Sequence, residues 1–339
     1  MNNAIPLESL AGCLSNQQLG LILMPTEKCN FRCTYCYEDF SIGKMPINVV
    51  EGIKQLLNVR APELKTLNIE WFGGEPLAAK NVVYDISEHA HHLKRDYPYL
   101  QYSGSMTTNG FNLAPRTFEK LIRYDVRSFQ ISLDGPREWH NQTRKRINGG
   151  ASFDVIWNNL KSAAKTRHTF TIILRLHITP ENYHAMDVFI PELKHQFGYD
   201  PRFMVYLKTI EHLGGANANQ FAILHGKQKA EIQAHLSNLL GKELTQLKLS
   251  TDTQPYICYA AKPNHLIIRA DGRIAKCTVA FDDDRNTLGK IQPDGRIAVD
   301  SEKLALWSRG LRSGNKNELY CPMHQLPLLK TPPRQTPIT

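Results

Sequence analysis

Six times between residues 18 and 240, a short apolar run is followed by a stretch with helical spacing. This alternation restricts the chain to an α/β architecture built on parallel strands. The runs Leu19–Pro25, Leu67–Phe72, Tyr102–Thr107, Ser128–Leu133, Thr169–Ile178 and Phe203–Ile210 read as strands. The intervening segments read as helices; in the fourth, Phe153, Ile156, Trp157 and Leu160 fall on one face. Several strand ends run straight into chemistry-bearing residues: a cysteine loop, Gly73-Gly74-Glu75-Pro76, Thr108-Asn109-Gly110 and Asp134-Gly135-Pro136. In closed or partly closed parallel sheets, chemistry gathers at the carboxyl ends of the strands. Arg175, on the fifth run, is a candidate to point into such a barrel or to serve a structural ion pair.

The texture changes near residue 250. Residues 227–249 have a helical pattern; beyond them come short strands at His265–Arg269 and Arg273–Cys277, with Asp-Gly turns at 271–272 and 294–295. The expected organisation is an N-terminal extension (1–17), a barrel (18–240), a smaller α+β module (250–330) and a loose tail (331–339). The longest apolar runs are too short to span a bilayer, and no basic-then-apolar leader opens the chain, so no membrane association and a cytoplasmic location are expected. The formal charge of +9 suits an acidic partner protein, yet no aromatic-basic interleaving suggests nucleic-acid binding.

Cysteine usage carries the strongest signal. Seven are present, at 13, 29, 33, 36, 258, 277 and 321, and an odd number in a reducing compartment argues for metal ligation over disulfides. Cys29, Cys33 and Cys36 lie on one loop at i, i+4 and i+7. Three thiolates so placed fill three corners of a cubane iron–sulfur cluster and leave one iron open. A zinc site with a distant fourth ligand is the bland alternative, although zinc sites favour paired C-x2-C ligands.

The run Cys29-Asn-Phe-Arg-Cys33-Thr-Tyr-Cys36 resembles the defining motif of the radical S-adenosylmethionine (SAM) superfamily. That resemblance implies a partial (β/α)6 TIM-type barrel, a three-cysteine 4Fe–4S cluster and SAM bound to the open iron. It further implies reductive cleavage of SAM to a 5′-deoxyadenosyl radical that abstracts hydrogen from substrate. By the same resemblance, Tyr35 packs near adenine and Gly73, Gly74 and Glu75 bind the methionine amino group. Ser132 and Asp134, two apart, present a hydroxyl and a carboxylate suited to the SAM ribose. Arg144, twelve residues after Ser132, resembles the arginine that pairs with the SAM carboxylate in the sulfatase-maturing branch.

The C-terminal module is similar to the SPASM or twitch extension of peptide-modifying radical SAM enzymes. Cys258, Gly272 and Cys277 resemble its opening, and Cys321-Pro-Met-His324 its C-x2-C segment, with histidine in the second position. The full pattern has about seven cysteines for two clusters; only three stand here, so two auxiliary clusters are not expected. Three readings stay open: one auxiliary 4Fe–4S cluster on Cys258, Cys277 and Cys321 with His324 or substrate as fourth ligand, a module without clusters, or a site completed by Cys13.

The resemblance implies a peptide or protein substrate, with products such as oxidised, crosslinked or epimerised residues. Thr278 after Cys277, where the sulfatase-maturing branch has a catalytic Asp, counts against formylglycine. A flavodoxin- or ferredoxin-type electron donor and a monomeric state are expected. About twenty residues precede the first strand, so substrate capture is expected to fall to the barrel mouth, the C-terminal module or another protein. The alternatives are a small-molecule substrate on the same chemistry and a non-catalytic zinc-thiolate protein.

Overall fold

The computed structural model describes residues 5–215, 217, 220–247 and 256–328. Its strands are β1 (Gln18–Leu23), β2 (Phe31–Cys33), β3 (Thr66–Trp71), β4 (Gln101–Thr108), β5 (Val126–Leu133), β6 (Arg144–Arg146), β7 (Thr171–Ile178), β8 (Phe203–Thr209), β9 (Thr245–Gln246), β10 (His265–Ile268), β11 (Arg273–Ala275), β12 (Gly289–Ile291) and β13 (Ile297–Val299). Six of them, β1-β3-β4-β5-β7-β8, run parallel in sequence order, and these are the six strands the apolar runs predict. Helices Ile47–Arg60, Lys80–Asp96, Pro115–Arg123, Phe153–Ala164 and Met186–Phe197 fill the crossovers. This is the mixed α/β architecture with a parallel sheet expected of a partial barrel.

Alternation along β7 shows how the sequence sets the two faces. Ile172, Leu174, Leu176 and Ile178 are fully buried in the main core with Phe153, Phe189 and Leu193 of the helices. The intervening Arg175 and His177 occupy the opposite face. A register slip of one residue would exchange these four buried aliphatics for Thr171, Ile173, Arg175 and His177, at about 1.5–3 kcal/mol per apolar side chain lost from the core.

The C-terminal module extends the same sheet. β10 pairs parallel with β1 (Gly20 opposite His265), and β11, β12 and β13 continue antiparallel beyond it. A buried ion pair seals this junction: Arg269, just past β10, donates to both carboxylate oxygens of Glu27 at 3.0 and 2.6 Å.

Three features depart from expectation. Residues Leu7–Leu14 of the N-terminal extension form a helix. The helix beginning at Gly226 ends at Leu240, where Gly241 adopts φ +65 and ψ −145, a backbone conformation open to glycine, and the short β9 follows. A two-strand ribbon, β2 with β6, was not legible; it sets Cys33 directly opposite Arg144. The expected tail 331–339 and Leu249 lie outside the described residues. Among the described residues, no helix is long and apolar enough to cross a membrane.

Candidate active site

Cys29, Cys33 and Cys36 all line one cavity of about 180 Å³ at the carboxyl ends of the parallel strands, together with Gly73, Gly74, Asn109, Ser132, Arg144 and Arg175. Each thiol is half-buried and unpaired. Burial pushes the Cys29 and Cys36 thiols up to about 12, and it raises Cys33 as well. Without a cation these sulfurs therefore keep their protons; metal binding would replace them. Three inward thiols on one loop, with no fourth cysteine beside them in the cavity lining, fit a cubane cluster having one open corner. Among the described residues, no three His, Cys, Asp or Glu side chains converge as ligands of a single metal ion.

The Gly-Gly turn is shaped by the cysteine loop. A Cβ on Gly73 would stand 2.4 Å from the Thr26 carbonyl, where φ is +110, and one on Gly74 would stand 2.6 Å from the Glu27 and Lys28 carbonyls. Both glycines thus let this turn pack against the backbone that leads into Cys29. Glu75 does not line the cavity. It is fully buried, and its carboxylate accepts hydrogen bonds from Leu77 N (2.9 Å), Thr108 Oγ1 (2.8 Å) and Asn109 N (2.8 Å). It latches the end of β3 to the end of β4, and Asn109 in turn donates to Asn30 of the cysteine loop at 2.7 Å.

Beneath the thiols lies a compact polar knot. The Tyr35 hydroxyl donates to Asp134 (2.8 and 2.9 Å), accepts from the Arg144 guanidinium (2.7 Å) and lies 2.9 Å from His177 Nδ1. Thr143 also donates to Asp134, at 2.6 Å. Although burial opposes ionisation, the His177 hydrogen bond and the Arg144 charge hold the Asp134 carboxyl well below the usual range. Ser132 reaches the cavity lining, whereas Asp134 is only 1% exposed and turned into this knot, so the two do not share the cavity as the strand alternation predicts. The reason is that β5 ends at Leu133, and the alternation ends with it.

Arg144 arrives through the β2–β6 ribbon, and its Nε is buried without a hydrogen-bond partner. Arg175 also keeps a buried Nε without a partner and makes no ion pair among the described residues; its guanidinium lies 5.9 Å from the Tyr206 ring. Both arginines line the cavity, each with one side-chain nitrogen that no other residue engages. His177 and Asn182, which buttress Asp134, escaped the sequence reading. For His177 the signal was present: it follows Arg175 by two on the same strand face.

A second cavity, of about 620 Å³, shares Cys36, Tyr37, Glu38 and Leu213 with the first and extends to Arg269, Phe281 and Asp282 of the C-terminal module. Glu38 stands at this junction, where burial and the nearby Glu27 charge push its carboxyl up to about 8. Of the acidic turn after Cys277, Asp283 pairs with Arg285 at 2.6 Å, and Asp282 lines the second cavity.

Within the C-terminal module, Cys258 and Cys277 are half-buried and Cys321 is exposed. They lie within electrostatic reach of one another, since Cys321 acts on both Cys258 and Cys277, and Cys258 acts on Cys277. A hydrogen bond from Cys258 N to Leu319 O (2.9 Å) brings the two ends of the module together. His324 is exposed, and Cys13 sits apart in the N-terminal helix with its thiol donating to Ser9 O.

Residues 23–190 match the family model of the Radical SAM superfamily. The chain is 30% identical over 159 residues to the radical SAM cyclopropyl synthase TigE of Paramaledivibacter caminithermalis, covering 41% of this chain and 31% of that protein. It is 26% identical over 200 residues to the GTP 3′,8-cyclase of Aeromonas hydrophila, covering 56% of this chain and 54% of the cyclase. The chain thus spans about a third to a half of the curated relatives it matches. Among solved structures, it is similar to anSMEcpe with bound AdoMet and Kp18Cys peptide (TM-score 0.66, 21% identity, 87% of this chain and 82% of that one). It is similar also to Streptococcus suis SuiB bound to precursor peptide SuiA (TM-score 0.62, 13% identity, 90% and 69%).

Proposed function

This chain belongs to the radical SAM superfamily, whose members use a 4Fe–4S cluster and SAM, and from that premise we propose that it abstracts hydrogen from a residue of a peptide substrate. The observation that carries the chemistry is the convergence of Cys29, Cys33 and Cys36 on one cavity with the Gly73-Gly74 turn, Ser132 and Arg144. In this reading Cys29, Cys33 and Cys36 would hold the cluster, with SAM seated beside it in the same cavity. When bound, the cluster would supply the electron for reductive cleavage of SAM to a 5′-deoxyadenosyl radical.

The residues then have separate tasks. The Gly73-Gly74 backbone lies beside the SAM amino group, with Glu75 fixing the turn from behind. Ser132 meets the ribose or carboxylate, and Arg144, a guanidinium in the cavity wall, supplies the positive charge for the carboxylate. Asp134 and His177 orient Tyr35, which in turn holds Arg144 in place. Cys258, Cys277 and Cys321 would hold one auxiliary cluster, should the module carry one.

The peptide reading is supported by anSMEcpe and SuiB, both captured with peptides, whose fold this chain shares over most of its length. The second cavity, opening between the cysteine loop and the C-terminal module, supplies a path for an extended segment. A small-molecule substrate is the second reading, favoured by the match to a GTP cyclase over more than half of the chain. The deciding experiment measures 5′-deoxyadenosine formed by reconstituted enzyme with candidate peptides and, separately, with nucleotides. Peptide-dependent stimulation with a mass change on the peptide supports the proposal; stimulation by nucleotides alone refutes the peptide substrate. Iron counting on a Cys29/Cys33/Cys36→Ala variant tests the cluster assignment, which fails if iron content is unchanged.

A further inference from the structure

We propose that Arg175 is a carboxylate-binding subsite for the peptide substrate, so that the residue taken into the cavity carries, or directly neighbours, a carboxylate. The inference rests on the peptide reading above. Arg175 lies on β7, in register with Ser132 of β5 on one side and Tyr206 of β8 on the other. It lines the same cavity as Cys29, Cys33 and Cys36. Adjacent strands stand about 4.8 Å apart, so its backbone is one strand away from the serine assigned above to SAM. Its guanidinium makes no hydrogen bond and no ion pair among the described residues. The Nε is enclosed without a partner, and the guanidinium carbon lies 5.9 Å from the centroid of the Tyr206 ring.

The other cations of the cavity wall are engaged. Arg144 donates to the Tyr35 hydroxyl at 2.7 Å, and Lys208 pairs at 2.8 Å with Glu211, which Lys229 also approaches at 3.3 Å. Neither Glu211 nor Glu38, the carboxylates that share this wall, comes within ion-pairing distance of Arg175. The inner face of such a barrel is ordinarily filled by apolar side chains, and an aliphatic residue would occupy this position without the cost of desolvating a charge. A guanidinium kept there with no protein anion beside it is matched by an anion that arrives with a ligand. SAM does not fill that need. It carries a single carboxylate, for which Arg144 already stands opposite Cys33, and its ammonium and sulfonium are cations that a second guanidinium repels. The remaining anion is the substrate's. A planar guanidinium suits a carboxylate through two parallel N–H···O bonds, and such a pair fixes the orientation of the peptide residue beside SAM.

The test uses the reconstituted holoenzyme with SAM bound and reads peptide retention rather than turnover. Three pools of randomised peptides are offered, and the retained fraction is identified by mass spectrometry. The first holds N-acetylated peptide amides with one Asp or Glu, the second the matching Asn or Gln amides, and the third the Asn or Gln peptides with a free C-terminal carboxylate. The wild type is expected to retain a carboxylate pool about tenfold or more over the second pool. Preference for the first pool identifies a side-chain carboxylate, and preference for the third a chain terminus. Arg175→Met is expected to bring that preference to within about twofold, with Arg175→Lys recovering part of it. Arg175→Gln decides the case should the methionine variant not fold. Iron content and SAM affinity, the latter by equilibrium dialysis, are followed in every variant. Equal retention of all three pools by the wild type, or an unchanged preference in the methionine or glutamine variant, overturns the subsite and leaves the peptide reading standing. A loss of SAM affinity of about tenfold with the peptide preference intact assigns Arg175 to SAM and overturns the subsite likewise. Retention of no pool overturns the peptide reading and the subsite with it.

Discussion

Glu75 stands in the Gly-Gly-Glu-Pro turn that the sequence assigns to SAM, yet its carboxylate faces away from the cavity and accepts three hydrogen bonds from Leu77, Thr108 and Asn109. Glu75→Ala leaves two backbone N–H groups and a hydroxyl without their acceptor in a fully buried setting. Each such orphan costs about 1–3 kcal/mol, and relief of the buried carboxylate's own desolvation offsets part of the total. The expected net loss is about 3–5 kcal/mol. Glu75→Gln keeps one acceptor oxygen for Leu77 and Thr108 but turns an amide N–H toward Asn109 N, so its expected cost is about 1–3 kcal/mol. Urea unfolding of the apoprotein measures both, and SAM affinity of the reconstituted protein, by equilibrium dialysis, is measured alongside. A latch predicts that stability falls in the order wild type, Gln, Ala, with SAM affinity following only through displacement of the turn. Unchanged unfolding midpoints combined with a large loss of SAM affinity would refute the latch and return the carboxylate to the ligand.

Three further outcomes test the frame around the site. Gly74→Ala forces a Cβ against the Glu27 and Lys28 carbonyls and displaces the cysteine loop; reconstitution should yield less iron per chain while far-ultraviolet circular dichroism stays near wild type. Arg269→Met strands the buried Glu27 carboxylate and should cost about 3–5 kcal/mol in urea unfolding, with part recovered by adding Glu27→Gln. His140 is fully buried with both ring nitrogens unpartnered, and burial holds it at about 3 in the folded protein against an ordinary 6.5. The unfolded chain therefore takes up the proton first, so stability falls as pH drops below 6.5, by about 1.4 kcal/mol per unit for this group. Unfolding midpoints compared at pH 7 and pH 5 should show a smaller loss for His140→Leu than for wild type.

The sequence by itself determined what depends on neighbours in the chain. Strand and helix alternation is a local pattern, and it placed the six successive strands β1, β3, β4, β5, β7 and β8. The i, i+4, i+7 spacing of Cys29, Cys33 and Cys36 brought three thiols together before any fold was known, because one loop carries all three. Tertiary structure decided what depends on register between distant segments. Only the β2–β6 pairing brings Arg144 opposite Cys33, and only the approach of the ends of β3 and β4 makes Glu75 a latch. The knot of Tyr35, Asp134 and His177 joins residues 99 and 142 positions apart, and no local periodicity encodes such a meeting. The full burial of Lys276, whose ammonium donates to the Lys262 and His265 carbonyls, likewise follows only from how the C-terminal strands fold over it. Side-chain chemistry is written in the chain, whereas burial and partner choice are set by packing, and at this site those two decide which residues hold the ligand and which hold the holder.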